Sequence, residues 1–377
     1  MSSTNVVTLD SIIDAYVANA VSLQKRCQTC SGTNEDCDIC TILRHRPIRD
    51  QLESAGIYLK RYEKDEGNDY GYRNSFLTGS YARGTTAKRP PKDVDMFWVL
   101  DRSKYAAEKE PEPAALLNAL AGVASSKTGT SIFGHAIINV EAQHRSIRID
   151  FDDDFSIDII PAFDASREGK ELYEIPDSKL GRYIESNPKV HKENLNSAVS
   201  ESDLPKLKNI TKLARQWRGG AFEEHEKKPK SFHLETAIVE ILRSSSLGTY
   251  VEMLQHCFDE LPAYFNEPRI PDPACPDCPK DQWVDSYLDE LSVEQKSLIV
   301  ERINIAQGAL AEAVKLEEQG KIVQAIRKLR GIFQDLPEQE PEALLRKTKE
   351  SYTPSHATAN TGGRTQPWSP RTPMVRE

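Results

Sequence analysis

Gly79-Ser80-Tyr81-Ala82-Arg83-Gly84-Thr85 is followed, 13 residues past its serine, by Asp93-Val94-Asp95-Met96-Phe97-Trp98-Val99. The second segment is a short run rich in Val and aromatic residues, the composition of a strand. Alternate residues of a strand share a face, so Asp93 and Asp95 put two carboxylates side by side. Adjacent like charges repel and shift each other's titration. A divalent cation between them removes that cost, and two such ions suit a nucleoside triphosphate: they orient an attacking hydroxyl and neutralise a leaving pyrophosphate. The glycine-serine turn suits the same substrate, because glycine lets the backbone approach closely and its N–H groups, with the Ser80 hydroxyl, can hold phosphate oxygens. A third carboxylate would complete the cage. Asp158, among the apolar residues Ile157, Ile159 and Ile160 ahead of Pro161-Ala162-Phe163, is the first candidate, and Asp150, in Ile149-Asp150-Phe151, is its competitor.

Around this centre, residues 136–142, 146–151 and 156–160 read as further strands of one sheet. Residues 8–24 read as a helix, with Leu9, Ile12, Ile13, Tyr16, Val17 and Ala20 on one face behind Thr8 as cap; a second helix runs through Ile48, Leu52 and Ala55. Past about residue 186 the pattern is helical, clearest over 204–218 and 231–244, then, after a proline-rich loop at 262–279, over 293–318 and 322–333. The 377 residues suggest two or three domains. The expected division is N-terminal helices with a Cys-rich loop over 1–60, a catalytic domain over 61–185, a helical domain over 186–350 and a disordered tail over 351–377. That tail has four prolines and a single acidic group, Glu377, too little apolar surface to order itself.

The net charge of −9 argues against a non-specific nucleic-acid binder, which usually carries a basic face. No apolar run reaches the roughly 18 residues of a membrane span, and the N-terminus lacks the features of a signal peptide, so a cytoplasmic protein is expected. The seven cysteines then read as reduced thiols or metal ligands and not as a disulfide framework. Cys27-x-x-Cys30 and Cys37-x-x-Cys40 together form a candidate structural zinc site. Cys275-x-x-Cys278 is a separate pair, able to join such a site or to remain as free thiols.

The combination of Gly79-Ser80, Asp93-x-Asp95 and Asp158 resembles the polymerase-β nucleotidyltransferase superfamily, and within it the branch of oligoadenylate synthase and cyclic GMP–AMP synthase. Its bacterial CD-NTases, the cyclic-oligonucleotide synthases of anti-phage signalling, are the nearest resemblance. Residues 210–218, around Arg215, resemble the helix whose basic residue touches the triphosphate; the family more often carries Lys there. Lys230-Ser231-Phe232-His233-Leu234-Glu235-Thr236 resembles the next helix, whose first polar residue does likewise. The likeness spans roughly residues 60–335.

It implies an α/β (α+β) protein, with a polymerase-β-like nucleotidyltransferase sheet, N-terminal helices and a C-terminal helical domain. It further implies two Mg²⁺ (or Mn²⁺) ions per site on Asp93, Asp95 and Asp158, with Gly79, Ser80, Arg215, Lys230 and Ser231 binding the nucleotide. ATP, with GTP, UTP or CTP, would be joined into a cyclic di- or trinucleotide. In some family systems an accessory protein acts on the synthase's C-terminus, which gives the tail a second reading beside the preferred one of a plain flexible segment. The rival expectation keeps the chemistry and changes the acceptor to an RNA 3′ end, a protein or a small molecule.

Overall fold

The structure, a computed structural model, describes residues 7–18, 44–61, 74–87, 93–106, 109–167, 169–243, 247–334 and 336. The four N-terminal cysteines and the tail lie outside them, so the expected zinc site and the tail stay expectations.

Two cores organise the chain. The first lies against an eight-stranded mixed sheet, whose strands are β1 (Ser75–Thr78), β2 (Asp93–Leu100), β3 (Ser131–Ile132), β4 (His135–Ala142), β5 (Ile147–Phe151), β6 (Ser156–Asp164), β7 (Tyr173–Asp177) and β8 (Arg182–Ser186). Their order is β1-β2-β6-β5-β4-β3, with the β7–β8 hairpin leaving from the end of β6. Among the described strands only β2 and β6 run parallel, and they pair in the register Asp93↔Ser156, Asp95↔Asp158, Phe97↔Ile160.

Strand parity divides β2 between two environments. Val94, Met96, Trp98 and Leu100 join Ile157, Ile159 and Phe163 of β6 in the main sheet core. Two helices cover that face: α2 (His45–Ser54), through Ile48 and Leu52, and α5 (Pro113–Ser125), through Leu116, Leu117 and Leu120. The opposite face carries Phe97 and Val99, packed with Ala162 and with Tyr173, Ile175 and Ile184 of the hairpin. Asp93 and Asp95 share this second face, beyond the point where its apolar packing stops. Two short helices, α3 (Gly79–Arg83) and α4 (Arg102–Tyr105), flank β2 in the chain.

The second core is helical. It gathers α7 (Leu204–Gly220), α8 (Ser231–Leu242), α9 (Tyr250–Glu260), α10 (Val293–Glu318) and α11 (Ile322–Ile332), reached from the sheet through α6 (Pro188–Asn196). Trp217 fills its centre, edge-on to Phe222 and Phe258. The N-terminal helix α1 (Leu9–Tyr16) packs here too, through Leu9, Ile12, Ile13 and Tyr16. Its start is fixed by a Thr8–Ser11 capping box, and Glu317 accepts the Leu9 N–H at 2.7 Å. Of the two N-terminal helices, then, α2 backs the sheet, while α1 joins the helices that follow it by some 200 residues.

Candidate active site

The turn after β1 lies directly on the acidic strand. Thr78 pairs with Asp95, and Gly79 then turns with φ +62°, a conformation that side chains resist. A Cβ at this position would sit 1.7 Å from Asp95 Oδ2, so only glycine leaves room for the carboxylate. Ser80 follows, buried, with its hydroxyl 3.1 Å from that of Thr86, and its carbonyl accepts the Thr85 N–H at 2.9 Å. The turn is therefore held from within, and its backbone stays close to Asp93 and Asp95.

The three carboxylates expected from the sequence come together. Asp95 and Asp158 are in register on neighbouring parallel strands, and Asp93 lies two residues along the same face. Burial, then the neighbouring Asp93, raises the Asp95 carboxyl above its ordinary range, against the pull of Arg83 and Arg215. Asp158 is pushed up to about 7, first by burial and next by Asp95. Its Oδ1 is buried with no hydrogen-bond partner among the described residues, and Arg148 comes no nearer than 3.9 Å to its Oδ2. Crowded carboxylates with an orphaned oxygen fit a divalent cation, which would relieve both the repulsion and the missing contact. The competitor Asp150 is engaged elsewhere: Arg148 Nε donates to it at 2.7 Å and Asn139 at 3.0 Å.

A cleft of about 470 Å³ opens between the two cores, a size suited to a nucleotide. Gly79, Ser80, Asp93, Asp95, Arg215, Lys230 and Ser231 all line it, whereas Asp158 stands one strand behind Asp95. Lys230 holds the cap position of α8, with its ammonium 4.7 Å from the Tyr287 ring centre, and burial lowers its pKa. Ser231 is the first residue inside that helix, whose N-cap Lys230 makes no side-chain capping bond, and it lines the cleft. Next to Lys230, His233 is buried beside Tyr287 and Phe265, and burial takes its pKa down to about 3, so the neutral ring is structural.

One cluster escaped the reading of the sequence. Glu235, 2% exposed, pairs with Arg83 from the glycine-serine turn, accepts from Thr85 Oγ1 at 2.7 Å and lies 3.5 Å from Arg215 Nη1. It thereby ties the turn of the sheet to two helices of the second core. The signal lay in Leu234-Glu235-Thr236-Ala237, where a charge interrupts a face that is otherwise buried. The β7–β8 hairpin, which supplies Glu185 and Ser186 to the cleft wall, was missed as well.

The cysteine reading needs one correction. Cys275 and Cys278 are joined as a disulfide, where reduced thiols or metal ligands were expected. A tight turn, with the Cys278 N–H donated to the Cys275 carbonyl at 3.1 Å, brings their Cα atoms to 5.3 Å, within bridging range. Cys257 is free and buried.

Comparisons with known proteins bear on the domain and the fold. Residues 51–198 match the family model of the SMODS domain, the Second Messenger Oligonucleotide or Dinucleotide Synthetase domain. No curated protein sequence matches the chain significantly. Among solved structures, E. coli MS115-1 CdnC with ATP is similar at TM-score 0.60 and 16% identity, over 88% of this chain and 99% of that one. The Bradyrhizobium diazoefficiens CD-NTase CdnG in complex with GTP gives 0.58 and 16%, over 91% and 98%. Vibrio cholerae DncV, a cyclic AMP–GMP synthase, gives 0.53 and 15%, over 88% and 86%. Residues 51–198 thus resemble the second messenger oligonucleotide or dinucleotide synthetase domain, within a chain that has the fold of the CD-NTase structures.

Proposed function

We propose that the chain joins nucleoside triphosphates into a cyclic di- or trinucleotide second messenger, releasing pyrophosphate, as a cytoplasmic enzyme of anti-phage signalling. The observation that carries this reading is the in-register pair Asp95–Asp158 beside Asp93, under a glycine turn and across a cleft from Arg215, Lys230 and Ser231. Asp93 and Asp95 would hold two divalent ions, Mg²⁺ or Mn²⁺, with Asp158 helping to hold the one nearer the acceptor. When bound, these ions supply charge neutralisation at the phosphates and lower the pKa of the attacking hydroxyl.

The remaining work falls to the chain's own groups. The backbone at Gly79 and the Ser80 hydroxyl position the triphosphate; Arg215, through its planar fork, and Lys230 offset its negative charge. Ser231 donates to a phosphate oxygen. The acceptor hydroxyl forms a bond to the α-phosphorus as the bond to pyrophosphate breaks, so catalysis is mostly alignment and electrostatics. Repeating the step within one bound intermediate closes the ring. CdnC is described in complex with a HORMA protein, and a protein partner for this chain, acting on its C-terminal tail, belongs to the same proposal.

The test is a product assay with each labelled triphosphate and with all four, plus Mg²⁺ or Mn²⁺, followed by phosphatase treatment and mass spectrometry. A phosphatase-resistant product without terminal phosphate is expected. Label transferred to added RNA or protein in its place would overturn the cyclic product and leave only the transfer chemistry.

A further inference from the structure

The cleft rim holds a second group of ligand-type side chains, distinct from the acidic edge. Cys275 and Cys278 lie on the proline-rich loop between α9 and α10, and Glu185 lies on β8 of the sheet's hairpin. Glu185 Oε2 is 3.5 Å from Cys275 Sγ, and one donor atom from each of the three residues falls within 4.8 Å of the other two. The carboxylate is already oriented, since its other oxygen accepts from Arg167 at 2.8 Å.

The loop and the hairpin are also docked by charge. Arg182 pairs with Asp281 at 2.5 Å and Lys179 pairs with Glu290, while His191, at the start of α6, meets Asp272 at 2.6 Å. Glu185 is therefore brought to the cysteine turn by a preformed contact between elements about 90 residues apart in the chain.

We propose that Cys275, Cys278 and Glu185, once the disulfide is reduced, form a binding site for a thiolate-preferring divalent cation of the zinc class. Two thiols on a Cys-x-x-Cys turn plus one carboxylate supply three of the four ligands such an ion takes, leaving the fourth position to water. The chemistry balances through thiol exchange. Two external monothiols break the Cys275–Cys278 bond, giving two protein thiols and one external disulfide; the ion then displaces one proton from each thiol. The disulfide and the ion exclude each other, because a sulfur bonded to its partner has no thiolate to offer. Bound, the ion would clamp the hairpin to the loop at the rim of the cleft. This site is independent of the Asp93, Asp95 and Asp158 reading.

The experiment uses the full chain, reduced with a phosphine and freed of excess reductant. It is incubated with Zn²⁺ or with a chelator, pulsed with iodoacetamide, and mapped cysteine by cysteine by mass spectrometry. Zinc is expected to slow labelling of Cys275 and Cys278 together, by roughly tenfold or more, because a metal-bound thiolate is a poor nucleophile. Equal labelling with and without zinc would overturn the site, whatever the cysteines at 27–40 do, since each peptide is read separately. In E185Q the zinc concentration giving half protection should rise on the order of ten- to hundredfold. An unchanged midpoint would remove the carboxylate from the ligand set and with it the site as proposed.

Discussion

Two groups of charge lie where the sheet meets the helices, and they are built on opposite principles. At the sheet edge, Asp93, Asp95 and Asp158 crowd negative charge together and leave an oxygen of Asp158 without a partner. On the helical side, Glu235 is buried more deeply, yet it is met by Arg83, Thr85 and Arg215, and its carboxyl is held below the ordinary range despite burial. A satisfied cluster stabilises the fold; an unsatisfied one costs stability and is kept for what it binds. Disturbing the first should therefore cost activity without costing stability, whereas disturbing the second should cost stability first.

The largest effect is expected at the sheet edge. Asn at Asp93 and Asp95 together preserves shape and removes the charge that neutralisation of the phosphates depends on, a contribution of several kcal/mol, or about a thousandfold or more in rate. The same double variant should melt at the same or a higher temperature in metal-free buffer at pH 8, since it relieves repulsion between neighbouring like charges. Full product formation would break the assignment of the catalytic edge. A lower metal-free melting temperature would break the contrast with Glu235.

Glu235→Gln should behave conversely. It keeps the size of the side chain but takes from Arg83, whose side chain is 7% exposed, its paired carboxylate. Breaking a buried pair from one side costs about 3–5 kcal/mol. Thermal unfolding should show a clear fall in melting temperature, with or without Mg²⁺. Because Arg83 leaves the same turn that carries Gly79 and Ser80, the apparent KM for triphosphate should rise as well. An unchanged melting temperature would mean that the cluster is not what joins the turn to the helices.

How far each group was legible in the sequence follows from the same physics. The acidic edge could be found because strand parity is strict: Asp93 and Asp95 share a face wherever that strand ends up. The parallel register that sets Asp158 beside Asp95 is a tertiary fact, and Asp150 remained a competitor until its bonds to Arg148 and Asn139 were seen. Glu235 was hidden for the opposite reason. Its partners Arg83 and Thr85 lie some 150 residues earlier, and nothing local distinguishes a buried acid with distant partners from one on a solvated face. Short strands suffer likewise: the β7–β8 hairpin, at Tyr173–Asp177 and Arg182–Ser186, includes a proline, a glutamate pair and an arginine that mask its period. Helix α1 announced its apolar face but not its destination, because a stripe of Leu and Ile fits either core.

A titration sharpens the comparison further. Asp158 binds its proton more tightly folded, with pKa about 7, than its ordinary value of 3.8. The stability this contributes is fully present below the unfolded value and is lost as pH rises through about 7. Metal-free protein should thus lose melting temperature between pH 5 and pH 8, and Mg²⁺ should restore it at the upper end. A cation must displace that proton, so the half-saturating Mg²⁺ concentration should fall by up to about tenfold per pH unit below 7 and level off above it. A flat profile would show that Asp158 is ionised throughout and that the edge is less crowded than its geometry implies.

The smallest effect, and the one that discriminates best between the two candidate third carboxylates, is expected at Asp150. Its side chain is already bonded to Arg148 and Asn139 and is partly exposed, so Asp150→Asn removes contacts worth 1 kcal/mol or less, and activity should change by less than about fivefold. Asp150 also adds to the repulsion that raises Asp158. Neutralising it should move the acid limb of the pH–rate profile slightly downward, toward easier ionisation. Were Asp150 the carboxylate that holds the ion near the acceptor, the same substitution would instead cost orders of magnitude, and Asp158→Asn would be the mild variant. The register of β2 with β6 argues for the first outcome, because only Asp158 lies directly across from Asp95 on the adjoining strand.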